Sequence, residues 1–247
     1  MFDFLFNSSK SVERDLSFIG VDMHSHLLPG LDDGAVTLEE SLHYFKLMKK
    51  WGYRKCIVTP HIFQGVYNNS PETILPVFKS IQAALVNAGC DIQVEVAAEY
   101  MVDESFIDTV LNQPKHLLSF GNKFVLIEMP FAAASPYIET AIFNLVLNGF
   151  TPIIAHPERY SYYFQQPQYY HRLIEMGCLF QINMLSLSGY YGKSVKKMAI
   201  NLIDQQLVSF IGTDMHHLSH CEAIKAFTKT KEFYKLSKRI DLKNNTL

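Results

Sequence analysis

Asp22-Met-His24-Ser-His26-Leu-Leu-Pro-Gly-Leu-Asp-Asp33-Gly34 begins inside an apolar run, Phe18–Met23, and turns polar where that run ends. In extended chain, residues two apart point to the same side, so His24 and His26 can close on one ion without unusual backbone. Six further short runs are built alike: Lys55–Thr59, Ile92–Ala97, Phe124–Glu128, Pro152–Ala155, Leu179–Asn183 and Val208–Thr213. They are rich in Val, Ile and Phe, as strands buried on both faces are.

Helical patterns separate these runs. Thr37-Leu-Glu-Glu40 is a capping box, with Leu38, Leu42, Phe45 and Met48 on one face and Gly52 as a left-handed stop. Ser70-Pro71 and Ser135-Pro136 each predict an N-cap followed by Pro at the first helical position, in helices ending near Gly89 and Gly149. Gln166-Pro167 opens another that closes at Gly177, and Pro76 predicts a late start or a kink in its helix. Strands alternating with helices argue for an α/β fold with a parallel sheet.

Six of the seven runs finish in His, Asp or Glu. Besides His24, His26 and Asp33, these are His61, Glu99, Glu128, His156, Asp214 and His216; the remaining run ends Gln181-Ile-Asn183. Asp214 and His216 repeat the spacing of the first pair. Convergence at one end of the strands favours a barrel, with the site at its C-terminal mouth, over an open doubly wound sheet. Taken singly, each residue could be a hydrogen-bonded core or surface group. Taken together, unpaired buried charges would cost several kcal/mol each, and the chain has only five Arg to balance them. Metal ions supply the missing positive charge. Oxygen and imidazole donors without thiolate suit Zn, Mn or Fe, and nine candidates imply two or three ions sharing a carboxylate. Such ions provide a nucleophile at neutral pH and a clamp for phosphate oxygens. Arg159 could reach the same phosphate, or instead pair with an acid such as Glu158.

Composition narrows the remaining classes. The 247 residues carry 22 Lys+Arg and 24 Asp+Glu, a net charge of −2 that provides no field for nucleic acid or an anionic membrane. Four widely spaced cysteines, Cys56, Cys90, Cys178 and Cys221, read as reduced thiols of a cytoplasmic protein. No stretch is apolar enough to insert in a membrane, and the first residues lack a signal peptide's charged start. Residues 1–17, with Phe2, Phe4 and Phe6, read as a segment docked on a single domain, 18–247. Tyr160, Tyr162, Tyr163, Tyr169 and Tyr170 read as packing residues, with a substrate platform as the alternative. Lys193, Lys196 and Lys197 read as a solvated helix start, and the basic stretch Lys225–Arg239 as an outer helix face.

The ordered set resembles the polymerase-and-histidinol-phosphatase (PHP) superfamily, and within it the bacterial capsule-type protein-tyrosine phosphatases of the CpsB/YwqE kind. The residues carrying the likeness are 22–34, Val58-Thr-Pro-His61, Ala98-Glu99 and Leu126-Ile-Glu-Met-Pro-Phe131. Ala155-His-Pro-Glu-Arg159, Gln181-Ile-Asn183 and Thr213-Asp-Met-His216 complete it. The resemblance implies a distorted seven-stranded α/β barrel and a three-metal centre. Its ligand sets would be His24, His26, Glu99 and Asp214; Glu99, Glu128 and His156; and Asp33, His61 and His216. It further implies Arg159 contacting phosphate, and phosphotyrosine on a tyrosine autokinase governing exopolysaccharide synthesis as substrate. The chain departs from the family in two places. His217-Leu-Ser-His220 stands where members often carry an Arg, and Tyr100 follows Glu99 where a basic residue is frequent. The alternatives are a PHP-type phosphatase of a small ester such as histidinol phosphate, a more distant amide or lactone hydrolase, and a regulatory binding module with structural metals. No Cys-x5-Arg element is present, which argues against a cysteine-nucleophile phosphatase.

Overall fold

A computed structural model describes residues 15–247. The expectation about Phe2, Phe4 and Phe6 therefore lies outside the described residues. Strands and helices alternate along the chain: β1 (Val21–Asp22), α1 (Leu38–Lys50), β2 (Lys55–Val58), β3 (His61–Ile62), α2 (Pro71–Asn87), β4 (Gln93–Val96), β5 (Glu99–Met101) and α3 (Glu104–Asn112). There follow β6 (Phe124–Glu128), α4 (Ile138–Leu147), β7 (Thr151–Ala155), α5 (Pro167–Glu175), β8 (Leu179–Asn183), α6 (Met184–Ser188), α7 (Lys193–Asp204), β9 (Val208–Gly212), α8 (Leu218–Thr228) and α9 (Lys231–Ser237).

Every strand pairing is parallel, so the α/β expectation holds. The strands form two sheets, β1-β2-β4 and β3-β5-β6-β7-β8-β9, and not one closed ring of seven. The cause is local. Two of the expected strands end at Thr59-Pro60 and Ala97-Ala98 and are followed at once by new short strands, and Pro60 has no N–H to give a ladder. At these breaks hydrogen bonds pass sideways: the Thr59 N–H donates to Ser25 O (2.8 Å), Ala97 N–H to Val58 O (2.9 Å) and Glu99 N–H to Pro60 O (3.1 Å). The residues just beyond both strands, His61 and Glu99 among them, thereby join the second sheet as β3 and β5. On the far side, the chain beyond β1 meets the chain beyond β9. Ser25 bridges Met215, Asp214 N–H donates to His24 O (2.8 Å) and His26 N–H to Met215 O (3.0 Å).

At the opposite end of the strands, Asn244 fills the seam between β1 and β9. Its Nδ2 donates to Val21 O and Ile211 O (2.8 Å each), and its Oδ1 accepts from Ile211 N–H (3.0 Å). Enclosed by the strands lies an apolar cluster that includes Val21, Met23, Leu126, Ile153 and Phe210. A larger one fills the space between strands and helices.

Most helix signals hold, with informative differences. The Thr37 side chain accepts from Glu40 N–H, but the Glu40 carboxylate turns to Val36 N–H and the Tyr44 hydroxyl instead of back to Thr37. α2 runs through Pro76, whose exposed position leaves the unmatched carbonyl one turn earlier open to water. Ser135-Pro136 does not open α4, which starts at Ile138. Ser135 Oγ donates instead to Val102 O (2.6 Å), tying the loop to β5's exit.

A candidate metal centre at the strand ends

All nine predicted acids and imidazoles come together at the C-terminal ends of the strands. They fall into overlapping groups whose ligating atoms lie within 4.8 Å of one another: His26, Asp33, His61 and His216; His24, His26 and Glu99; His24, His156 and Asp214; and His61, Glu99 and Glu128. His24, His26 and Glu99 are wholly buried, whereas Asp33 is half exposed, so the cluster runs from the interior to an open face. Within these overlapping groups His156 lies near both Glu99 (Nε2 to Oε1 3.0 Å) and the His24–Asp214 pair, and Glu128 lies nearest His61, whose Nδ1 is 2.8 Å from Glu128 Oε1.

Hydrogen bonds from behind set which nitrogen faces the centre. Gln181 Oε1 can only accept from His24 Nδ1 (2.8 Å), because Gln181 Nε2 is committed to Asn183 Oδ1 (2.8 Å) and Asn183 Nδ2 to Asp214 Oδ2 (2.5 Å). Asp32 Oδ2 accepts from His26 Nδ1 (2.8 Å), and the Asp214 carbonyl from His216 Nδ1 (2.9 Å). In all three rings Nε2 is therefore left with its lone pair directed inward. These lone pairs meet other acceptors. His24 Nε2 is 3.2 Å from His26 Nε2, and both approach Glu99 Oε2, at 3.1 and 3.3 Å. Buried Glu99 Oε2 and His61 Nδ1 have ring nitrogens or carboxylate oxygens within 3.3 Å but no well-directed hydrogen bond. Acceptors converging in a buried space call for positive charge between them, as protons on the rings or as a bound cation, and the donor set is that of a divalent transition metal.

The electrostatics carry the same demand. Burial pushes the His24 imidazole down, but the Glu99 and Asp214 carboxylates outweigh it and raise it to about 9. Burial raises Glu99 and Asp214 too, yet the surrounding imidazoles hold both well below the usual carboxylate range. Two of the four positive-φ residues other than glycine among the described residues are here. His156 (φ 35°) and Asp214 (φ 50°) take left-handed conformations at the ends of β7 and β9. Gly34 is required by close approach, since a Cβ there would stand 2.1 Å from His26 O.

Beside the cluster is a cavity of about 310 Å³, lined among others by Asp33, His61, Phe131, Arg159, Tyr191 and His216. Arg159 lies between the rings of Phe131 (4.4 Å) and Tyr191 (4.1 Å) and donates to Asp214 Oδ2 (3.1 Å), not to Glu158. The Glu158 carboxylate instead accepts from Asn183 N–H and Ser186 Oγ, and burial raises it. His217 and His220 also line the cavity, and burial lowers His220 to about 4. The tyrosine cluster packs. Tyr160 OH accepts from Met129 N–H, Tyr162 OH donates to Pro130 O, and Tyr163 stacks on Tyr169, bracing the loop that carries Phe131. Lys193 is exposed and absent from the cavity lining, and Lys196 pairs with Glu232. Asp32, Gln181 and Asn183 are the contributors not singled out in advance as site residues. The adjacent Asp pair and the polar end of an otherwise buried strand were the available signals.

The family model described as capsular polysaccharide synthesis, CpsB/CapC, matches residues 20–238. The tyrosine-protein phosphatase YwqE of Bacillus subtilis is 31% identical over 199 residues, covering 80% of this chain and 78% of that protein. The tyrosine-protein phosphatase CpsB of Streptococcus agalactiae is 30% identical over 204 residues, covering 80% and 83%. Among solved structures, the work on YwqE from Bacillus subtilis and CpsB from Streptococcus pneumoniae, described as unique metal-dependent tyrosine phosphatases, contains a chain with TM-score 0.75 and 28% identity. It covers 88% of this chain and 91% of that one. A lactonase from Listeria monocytogenes, at TM-score 0.54 and 10% identity, shares the fold alone, covering 93% and 94%.

Proposed function

The chain belongs to the CpsB/CapC family of capsular polysaccharide synthesis proteins, and we propose that it is a metal-dependent tyrosine phosphatase working at the cluster just described. The proposed ligands are His24, His26, Asp33, His61, Glu99, Glu128, His156, Asp214 and His216, holding two or three divalent ions of Mn, Fe or Zn. The observation that carries the reading is the convergence of inward imidazole nitrogens and carboxylates on one buried space that needs added positive charge. Bound there, the metals supply an acidified water and positive charge for the phosphate oxygens.

The chain's own residues do the rest. Asp32 and Gln181 hold His26 and His24 in the ligating tautomer. Glu99 offers one oxygen toward His156 and the other toward His24, His26 and His61, which suits a bridging carboxylate. Arg159, fixed between two rings with one N–H on Asp214, presents its remaining N–H groups to a phosphoryl group in the cavity. It needs no reorientation as charge builds there. A phenol leaves with a pKa of about 10, so the reaction depends less on a dedicated general acid than alkyl phosphate hydrolysis does.

The two sheets act as one distorted seven-stranded barrel in this reading, and residues 18–247 as one metallophosphatase unit. The substrate is a phosphotyrosine-containing protein, for which the family's capsule association suggests a tyrosine autokinase, in the cytoplasm. Among the described residues no helix is long and apolar enough to cross a membrane. Elemental analysis of the purified protein, with assays on phosphotyrosyl and phosphoseryl peptides before and after chelation, tests the proposal. Loss of phosphotyrosine hydrolysis on chelation and recovery with Mn is the expected result. Full turnover in metal-free protein would overturn it.

A further inference from the structure

Outside the catalytic cavity, a second cleft of about 210 Å³ opens between the N-terminal ends of α2 and α3. It is continuous with the centre through shared elements. His61 and Glu99 are neighbours across β3 and β5 and belong to the cluster, while the next pair along those strands, Ile62 and Tyr100, lines the cleft. Tyr67 forms its wall on that side and stacks on His61 at 5.2 Å between centroids. A polypeptide leaving the centre on this side crosses this rim. Extended chain advances about 3.3 Å per residue, so positions near the phosphotyrosine come over the cleft.

The lining has a definite charge. Glu72 and Asp103 contribute carboxylates, His116 contributes an imidazole near Glu72, and no Lys or Arg is present. Capping uses part of each: Glu72 Oε2 accepts from Ser70 Oγ (2.7 Å) and Asp103 Oδ1 from Phe106 N–H (2.8 Å). These bonds also answer the partial positive charge of the two helix starts, leaving the cleft acidic. The apolar sides of Ile62, Tyr67 and Phe106 can cover the methylene stem of a long side chain whose charged end reaches the carboxylates.

We propose that this cleft is a subsite for the polypeptide flanking the phosphotyrosine and takes a Lys or Arg side chain. The proposal rests on the tyrosine phosphatase reading above. The test uses the metal-loaded enzyme with p-nitrophenyl phosphate and a panel of phosphotyrosyl peptides bearing Lys or Glu at each position within three residues of the phosphotyrosine. At one position, Lys should exceed Glu in kcat/KM by about three- to fivefold, the scale of a partly exposed ion pair. Glu72→Lys should abolish or invert that preference, and Thr109→Trp, which fills the cleft from α3, should lower peptide turnover several-fold. Neither should alter hydrolysis of p-nitrophenyl phosphate. Equal turnover of all peptides by the wild type, or variants whose peptide and p-nitrophenyl phosphate rates move together, would overturn the subsite. If the wild type hydrolyses no phosphotyrosyl peptide at all, the tyrosine phosphatase reading itself fails.

Discussion

The same strands carry two buried layers of opposite character. Below, Val21, Met23, Leu126, Ile153 and Phe210 form an apolar plug with no polar atoms to satisfy. Immediately above, His24, His26, Glu99 and Asp214 are just as buried, yet their polar atoms confront one another. The lower layer is complete in itself, because dispersion and exclusion of water stabilise it whatever else is bound. The upper layer is complete only with added positive charge. Function is thus located where packing stops being self-sufficient.

Changes that separate the layers should have separable effects. Removing a proposed ligand from the open face, as in His61→Ala or Asp33→Ala, should lower kcat on a phosphotyrosyl peptide by about 100-fold or more, equivalent to nearly 3 kcal/mol. Thermal unfolding of the chelated protein should change little; equal losses of activity and of apo stability would break the distinction. Leu126→Ala in the plug should do the reverse. It should cost about 2–5 kcal/mol in unfolding free energy while leaving metal stoichiometry intact, and a loss of metal at ambient temperature would show that the layers are coupled.

Two smaller effects sharpen the description of the cavity. Arg159→Ala removes charged hydrogen bonds each worth about 1.5–3 kcal/mol, so kcat/KM should drop about 10- to 100-fold with metal content unchanged. Phe131→Ala removes one of the two rings flanking that guanidinium. Because Phe131 is 47% exposed, the contact is worth about 0.5–1 kcal/mol, and kcat/KM should fall two- to fivefold. A Phe131→Ala loss as large as that of Arg159→Ala would mean that the ring also contacts substrate.

The contrast also explains what was legible in the sequence. β6 and β8 were read to their observed ends because they are fully buried apolar runs bounded by polar residues. The polar residue terminating each run pointed to the site, and all nine expected residues meet there. β3 and β5 escaped as separate strands because two or three residues after a Pro or an Ala pair carry no periodicity. Their existence depends on pairing with distant chain. Asp32 was hidden by its neighbour: from spacing alone either aspartate of the pair could face the cluster, and only the fold sets Asp32 behind His26 and Asp33 toward His61 and His216. Ser135-Pro136 misled for a related reason. Its cap chemistry was real, but the hydroxyl found Val102 O, a partner 33 residues away.

Asn244 imposes a dependence of a different kind. One carboxamide stands in for a missing stretch of ladder between the first and last strands, while Lys243 N–H reaches Ser209 O and Arg54 holds the Asn245 carbonyl. Trimming residues 243–247 would remove no catalytic group, yet it would unfasten the seam on the side remote from the reaction. The fragment would keep every motif of its family and still loosen at its base, so the portion that suffices for recognising this protein by sequence is shorter than the portion needed to hold it shut.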